Sequence, residues 1–401
     1  MLTPHWTVIH GDALELLRTL PDGCVDSIVT DPPSGIFFMG CHWDSNKGGR
    51  AQWVSWLTGI TRECLRALKP GGHALFWAIP RTSHWTATAV EDGGFEIRDV
   101  VTHHFGSGMP HSKDASKAVD KKLGTSSARV VTSTYRAGGN AGTSTADKGG
   151  TYGVGVANSA AVELQRTLGG SPEARQWDGW GTGLKPASEH WVLARKPLDG
   201  ALADNLLRHG AGALNVDGCR VVTDWNEPDR PASWAASGHS AKPDAEKIAA
   251  PPGNGMTLHP GGRWPPNALL SHSADCSGKC AEDCPVRLLD PSAVRFFPCL
   301  DGDPFLYAAK AGTAEREAGC DAVEPSPGGR RNDHPTVKSV KLMRYLVRLV
   351  TPPGGLVLDP FAGSGSTGVA AVLEGMHFMG FELEERFVEV ARARIAHWAA
   401  R

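Results

Sequence analysis

No run of eighteen apolar residues occurs in this chain, so nothing in it has the length of a bilayer-spanning helix, and no membrane partner is expected. Its opening, Met1-Leu2-Thr3-Pro4-His5-Trp6, lacks the basic and apolar stretches of a signal peptide, and the expected location is the cytoplasm. Charge of one sign is missing too: 41 Lys and Arg against 43 Asp and Glu leave a formal net charge of −2. That excludes a globally basic nucleic-acid binder, so any such surface has to be local. Nine cysteines, odd in number and mostly scattered, argue against a disulfide framework. Tyrosine is scarce, four against thirteen tryptophans, a bias for which there is no physical account. What remains is 401 residues of ordinary composition, 41% hydrophobic and 21% charged, enough for one elaborated domain or two.

Two stretches share one plan. In the first, a helical segment from Trp53 to Leu68 meets Lys69-Pro70-Gly71-Gly72 and the strand His73 to Trp77; a helix then ends at Gly93-Gly94, before a strand from Phe95 to Val101. In the second, apolar residues at Val337, Val340, Met343, Leu346, Val347 and Val350 keep a helical period up to Pro352-Pro353-Gly354-Gly355. The strand Leu356-Val357-Leu358 follows, then a helix ending at Gly375 and the strand His377 to Phe381. Strands alternating with helices predict an α/β fold with a mostly parallel, doubly wound sheet, built from both ends of the chain.

Between these blocks the composition shifts. Residues 124–170 are rich in Gly, Ser, Thr and Ala and suggest a long mobile insertion. Around its start, Lys113, Lys117, Lys121, Lys122, Arg129 and Arg136 face only Asp114 and Asp120; a solvated helix face and a phosphate-contacting role both fit. Trp191-Val192-Leu193-Ala194 reads as the strand that closes the first block, and residues 225–262 as loop or linker. His272, Cys276, Cys280 and Cys284 recur with three residues between each pair. Imidazole and thiolate in a set of four suit tetrahedral zinc, which would be structural here. The spacing is not a standard knuckle, and one helix cannot wrap a metal unless Gly278 and Pro285 break it, so metal-free cysteines stand as the alternative.

Two turns carry the chemistry. The β-branched run Val25 to Thr30 ends at Asp31-Pro32-Pro33-Ser34. Two prolines cannot extend a ladder and fix φ near −65°, which gives a stiff acidic loop at the carboxyl end of a strand, where open α/β sheets place their chemistry. Taken alone, those four residues are explained more simply by an ordinary strand-to-loop turn with a solvated carboxylate. The second turn, Asp359 to Gly368, reads DPFAGSGSTG directly after a strand and opens a helix. Glycines allow close backbone approach, and Glu382 ends the next strand, where a carboxylate can accept ribose hydroxyls. No lysine follows the glycines as a phosphate loop requires, so the pair points to a nucleoside cofactor without phosphates.

Together, DPPS and DPFAGSGSTG resemble the two signature motifs of S-adenosylmethionine-dependent amino-methyltransferases acting on DNA. Catalytic motif first and cofactor motif last is similar to the circularly permuted β group. Gly11-Asp12-Ala13-Leu14, Asn332 to Lys338, Phe38-Met39-Gly40, Arg81 to Trp85, residues 184–198 and residues 262–267 extend the resemblance to phage and prophage members. It implies a Rossmann-like class I methyltransferase with a seven-stranded sheet. The expected division is a catalytic half at 1–110, the mobile insertion at 111–185, a closing strand at 186–200, target recognition with the zinc candidate at 201–330, and a cofactor half at 331–401.

The resemblance also implies roles. Asp31, Pro32, Pro33 and Ser34 form the catalytic loop, with Asp31 beside the transferable methyl. Phe361, Gly363 and Gly365 shape the methionine pocket, Asp359 lies near its amino group, and Thr367 stands at the helix start. Glu382 holds the ribose, Asp12 with Ala13 the adenine end, and His334, Thr336 and Lys338 close the methionine end. Ser34 departs from the pattern, which usually has an aromatic there to stack on the flipped base; Phe37, Phe38 and Trp43 are the nearby rings. Arg220, Arg263, Trp264, Lys310 and Arg316 are candidates for contact with double-stranded DNA. The expected product is a methylated exocyclic amine, adenine N6 ahead of cytosine N4. The alternatives are an RNA or protein-amide methyltransferase, or a non-catalytic DNA-binding subunit. A homodimer is open.

Overall fold

The computed structural model describes residues 5–105, 112–137, 162–184, 186–221, 264–271 and 313–401. Strand β1 (Trp6–His10) leads through helix α1 (Ala13–Arg18) to β2 (Val25–Thr30). Helix α2 (Arg50–Ala67), β3 (Leu68–Ala78), α3 (Ser83–Asp92) and β4 (Glu96–His104) follow. An excursion then carries α4 (Ala115–Leu123), β5 (Val130–Ala137), β6 (Val162–Leu168) and α5 (Pro172–Arg175). Strand β7 (Ser188–Arg195) returns to the sheet, with α6 (Leu202–His209), β8 (Ala268–Leu270) and α7 (Thr313–Glu317) beyond it. Helix α8 (Val340–Val350), β9 (Leu356–Asp359), α9 (Ser366–Leu373), β10 (His377–Glu382) and α10 (Glu385–Ala399) complete the fold.

The main sheet runs β1-β10-β9-β2-β3-β7-β4-β8, with β7 antiparallel to both neighbours and every other pairing parallel. It holds eight strands among the described residues where seven were expected. The addition is the short β8, which pairs with β4 along Thr102–His104. Side-chain alternation separates two cores. Val29, Leu75 and Val357 bury against α8, α9 and α10, whereas Ile28, Ala74 and Leu358 bury against α1, α2 and α3. Each fully buried side chain of this kind contributes about 1.5–3 kcal/mol by leaving water.

Chain direction fixes where a site can form. From β9 the chain crosses through α9 to β10, toward one edge; from β2 it crosses through α2 to β3, toward the other. The strands β2 and β9 are neighbours, with Ile28 opposite Leu358. Their carboxyl ends therefore flank the topological switch point, where a crevice opens outside an α/β sheet.

The expected mobile insertion is in part a built unit. In residues 112–137 and 162–184, β5 and β6 form an antiparallel ribbon beside α4 and α5. Asp120, fully buried, accepts from Arg129 at 2.5 Å, from Thr125 Oγ1 at 2.6 Å and from the N–H groups of Gly170 and Ser171. A composition rich in Gly, Ser and Thr hid a unit organised by inward carboxylates, Asp120 and Asp178.

Candidate active site

Both motif turns lie at the switch point, and one hydrogen bond ties their strands. Thr30 Oγ1, the last residue of β2, donates to Asp359 Oδ1 at 2.6 Å across the strand boundary. Asp359 also accepts from Phe361 N (3.0 Å) and Thr367 Oγ1 (2.6 Å), and its residue is 2% exposed. Burial pushes its carboxyl up to about 6. Asp359, expected near the cofactor's amino group, ties the turn to β2 through Oδ1 and to the start of α9 through Oδ2. Hydrogen bonds to a charged acceptor contribute roughly 1.5–3 kcal/mol each.

Asp31 follows directly. Burial pushes its carboxyl up to about 6 despite the ammonium of Lys338, whose Nζ donates to Oδ2 at 2.5 Å. Lys338 was expected to close the methionine end. The structure sets it against Asp31, with Nζ 4.0 Å from the centroid of the Trp77 ring. Trp77 is the last but one residue of β3 and Glu189 the second of the antiparallel β7, so both arrive at the same end of the sheet as Asp31. Burial raises the Glu189 carboxyl, but Lys338 and His103 outweigh it and hold the group below its usual range. His103, fully buried, lies 4.0 Å from Glu189 Oε2 and hydrogen-bonds Ser271 Oγ through Nε2 at 2.8 Å. Lys338 is thus a cation facing two carboxylates, with Oδ1 of Asp31 left for a further donor.

The loop after Asp31 is shaped by a residue that sequence reasoning passed over. Asp44, 0% exposed, accepts from Gly35 N (2.9 Å), Ile36 N (3.3 Å), Phe38 N (2.7 Å) and Ser34 Oγ (3.0 Å). Ser34 therefore points into the loop's own carboxylate, while its carbonyl accepts from Thr82 Oγ1 at 3.0 Å. Gly35 sits at φ +74°, and a Cβ there would meet Trp53 Nε1 at 2.7 Å. The curl places Phe37 in the left-handed region at φ +55° and 45% exposed. A non-glycine residue held there costs on the order of 1–3 kcal/mol, a strain that clusters at functional sites. Of the other two stacking candidates, Phe38 is half-buried, and Trp43 stacks on His334 with centroids 6.2 Å apart and planes 14° from parallel.

His334 packs edge-on to Phe387 at 4.6 Å. Burial, with Lys338, Arg316 and Arg394 nearby, pushes its imidazole down to about 3, so the ring is neutral. The N–H of Thr336 points at its Nδ1 from 3.4 Å. Gly363, at φ +51°, passes so close to this ring that a Cβ would meet Nε2 at 2.9 Å. Gly365, at φ +79°, packs against α10, where a Cβ would meet Ala391 Cβ at 2.9 Å. The first glycine borders the crevice, whereas the second is required by helix packing. Phe361, half-buried, lies 5.9 Å from Trp56. Beneath the turn, the fully buried Arg394 donates to Ser364 O at 2.6 Å and to both serine hydroxyls, a buttress with no sequence signal.

On the far side of the turn two carboxylates stand on neighbouring strand ends. Glu382, paired with His10 in the ladder, accepts from Gly363 N (2.7 Å) and Glu384 N (2.9 Å), and burial raises its acid. Asp12 caps α1 through Oδ1, which accepts from Leu14 N and Glu15 N at 2.9 and 3.1 Å, beside the buried Ala13. Oxygens around a glycine turn accept hydroxyl and amino donors and repel phosphate, so these residues fit a nucleoside cofactor that lacks phosphates.

Among the remaining candidates, Arg316 points inward, donating to His334 O at 2.6 Å, so it braces the loop rather than facing DNA. Arg220 bonds Asp217 at 2.8 Å and lies over the 68% exposed ring of Trp264. Arg263, Lys310 and the proposed zinc ligands His272, Cys276, Cys280 and Cys284 lie outside the described residues. No group of three or more metal-ligating side chains occurs among the described residues. No helix there is long and apolar enough to cross a membrane.

Residues 25–131 and 308–393 match the model of the N6/N4 family described as DNA methylase, segments that carry both motif turns. The DNA adenine methyltransferase YhdJ of Escherichia coli K12 is 35% identical over 71 residues, 17% of this chain and 24% of that protein. YubD of the same strain, named as a methylase, is 46% identical over 63 residues, 16% of this chain and 28% of its own. The chain thus matches about a quarter of the length of these curated relatives. Among solved structures, the cytosine-N4-specific PvuII DNA methyltransferase aligns over 100% of this chain and 94% of its own, at 14% identity and a TM-score of 0.44.

Proposed function

We propose that the chain is an S-adenosylmethionine-dependent methyltransferase that modifies an exocyclic amino nitrogen of a base flipped out of double-stranded DNA, adenine N6 ahead of cytosine N4. The observation that carries this reading is the juxtaposition at the switch point. A half-buried, lysine-held carboxylate on a Pro-Pro loop is hydrogen-bonded through its strand to a glycine turn flanked by two carboxylates. The matched family segments support the same chemistry.

When bound, S-adenosylmethionine supplies an electrophilic methyl group; Asp12 and Glu382 would hold its adenosine, and Gly363 with His334 its methionine end. An exocyclic base amine is a poor nucleophile because its lone pair is conjugated with the ring. Asp31 Oδ1 and the carbonyl of Pro32 accept its two N–H groups, which pulls the nitrogen toward tetrahedral geometry and aims the lone pair. Lys338 occupies Oδ2 and keeps the half-buried carboxylate ionised, so the acceptor is charged before the base arrives. The prolines hold both acceptors still, so most of the rate comes from positioning and electrostatics. Ser34 cannot stack on the base; the exposed, strained Phe37 is the ring that does, and the base must leave the duplex to reach it.

Transfer of labelled methyl from S-adenosylmethionine to genomic DNA, followed by nucleoside digestion and mass identification, tests the reading. N6-methyladenine or N4-methylcytosine is the expected product. Absence of label in DNA, from protein that binds the cofactor, would overturn the DNA assignment.

A further inference from the structure

The excursion between β4 and β7 leaves the sheet at His104 and returns at Ser188, which are paired in the ladder at the same end as Asp31. Its carboxylates Asp120 and Asp178 turn inward, onto Arg129, Ser116 and the backbone of Gly169 to Ser171. Its described lysines turn outward. Lys117 and Lys121 stand four residues apart on one face of α4, with Lys122 beside them and Lys113 just ahead of the N-cap Asp114, and all four are exposed. Between positions 113 and 122 the exposed carboxylate is Asp114, which caps the helix through Lys117 N. At the N-terminal end of this row stand Trp177 and Trp180, edge to face at 5.6 Å and 41% and 62% exposed. The carbonyl of Trp180 accepts from Ala115 N at 3.0 Å, which fastens the pair to α4.

We propose that the lysine row and the tryptophan pair grip the backbone of duplex DNA beside the catalytic crevice. The proposal rests on the methyltransferase reading above and places a DNA contact outside residues 201–330. Lysines spaced along a helix neutralise successive phosphates and release counterions, and the indoles add apolar contact to deoxyribose and an Nε1–H donor to phosphate, neither of which depends on sequence. A second copy of the chain is the poorer occupant, because a two-fold contact would set the lysine row against itself.

The test uses non-specific binding, so the target sequence need not be known. The full chain and the variants Lys117→Glu/Lys121→Glu and Trp177→Ala/Trp180→Ala are titrated with a fluorescent duplex of random sequence over a range of salt, and with S-adenosylmethionine by calorimetry. The lysine variant should bind duplex about tenfold more weakly and lose about two from the slope of log affinity on log salt. The tryptophan variant should weaken binding with its slope unchanged, and both should bind the cofactor like the parent. Parental DNA affinity and slope in both variants would overturn this surface and leave the methyltransferase reading intact. A parent that binds cofactor but no duplex would overturn both.

Discussion

Replacing Lys338 with methionine separates the charge of this side chain from its packing on Trp77. With the lysine present, burial sets the Asp31 carboxyl at about 6, which leaves about nine-tenths of it ionised at pH 7. An opposite charge in contact lowers a carboxyl by roughly 1–3 units, so its loss moves Asp31 to about 7–9. The ionised fraction at pH 7 then falls to between about one half and one in a hundred. Because the free enzyme must present a carboxylate to the base amine, kcat/KM at neutral pH should fall by about two- to a hundredfold. Activity should recover as pH rises through the new value. The parent's acid limb should have its midpoint near 6. The assay is methyl transfer to DNA from roughly pH 5.5 to 9.5, a window that spans both midpoints. A Lys338→Met enzyme with its acid limb unmoved would refute the argument, whatever its absolute rate. An acid limb that moves with unchanged cofactor affinity would assign Lys338 to the carboxylate and not to the methionine end.

Other outcomes follow from the same geometry. Asp44→Ala leaves the N–H groups of Gly35, Ile36 and Phe38 and the Ser34 hydroxyl without their acceptor. It should cost about 3–5 kcal/mol in urea unfolding, with turnover lost before cofactor affinity. Glu189→Gln removes the second carboxylate facing Lys338 and should leave the ammonium more fully committed to Asp31, so the acid limb of kcat/KM should shift to lower pH. His334 is neutral in the fold, at about 3 against an unfolded value of about 6.5. The unfolded state binds more protons in that window, so the stability His334 contributes is complete above about 6.5 and lost as pH falls toward 3, by up to about 1.4 kcal/mol per pH unit. A His334→Phe variant should therefore overtake the parent in relative stability on acidification, and parallel stability curves for the two would refute the assignment.

The sheet was legible because buried parallel strands announce themselves: short apolar runs follow helical periods that stop at Pro-Gly, Gly-Gly or a single Gly, in both halves of the chain. Strand β8 was not, since three residues at an edge carry no periodicity. The β5–β6 ribbon was hidden for a different reason, because hydrogen bonds to Asp120 hold it and its composition imitates a linker. In the site, Asp31 and Glu382 could be placed from their positions at strand ends alone. The partner of Asp31 could not, since Lys338 lies 307 positions away and meets it only when the two halves share a sheet. Asp44 left no pattern at all, because a carboxylate that collects backbone N–H groups from its own loop needs no particular neighbours.

The glycine turn shows where a motif conveys two requirements at once. Gly365 and Gly368 face Ala391, Ile395 and Phe378, with Cβ positions that would fall 2.4–3.2 Å from their atoms. Packing alone explains both, and Gly365 also needs its positive φ. Gly365→Ala should therefore destabilise the whole chain in urea, not merely weaken cofactor binding. Gly363→Ala meets instead the edge of the His334 ring and should lower cofactor affinity with a smaller loss of stability. If the two variants lost stability equally and bound cofactor equally, the division of the turn into a packing glycine and a crevice glycine would be wrong. Asp12 and Glu382, which also cap α1 and hold the N–H groups of Gly363 and Glu384, would then be the remaining support for a nucleoside at this turn.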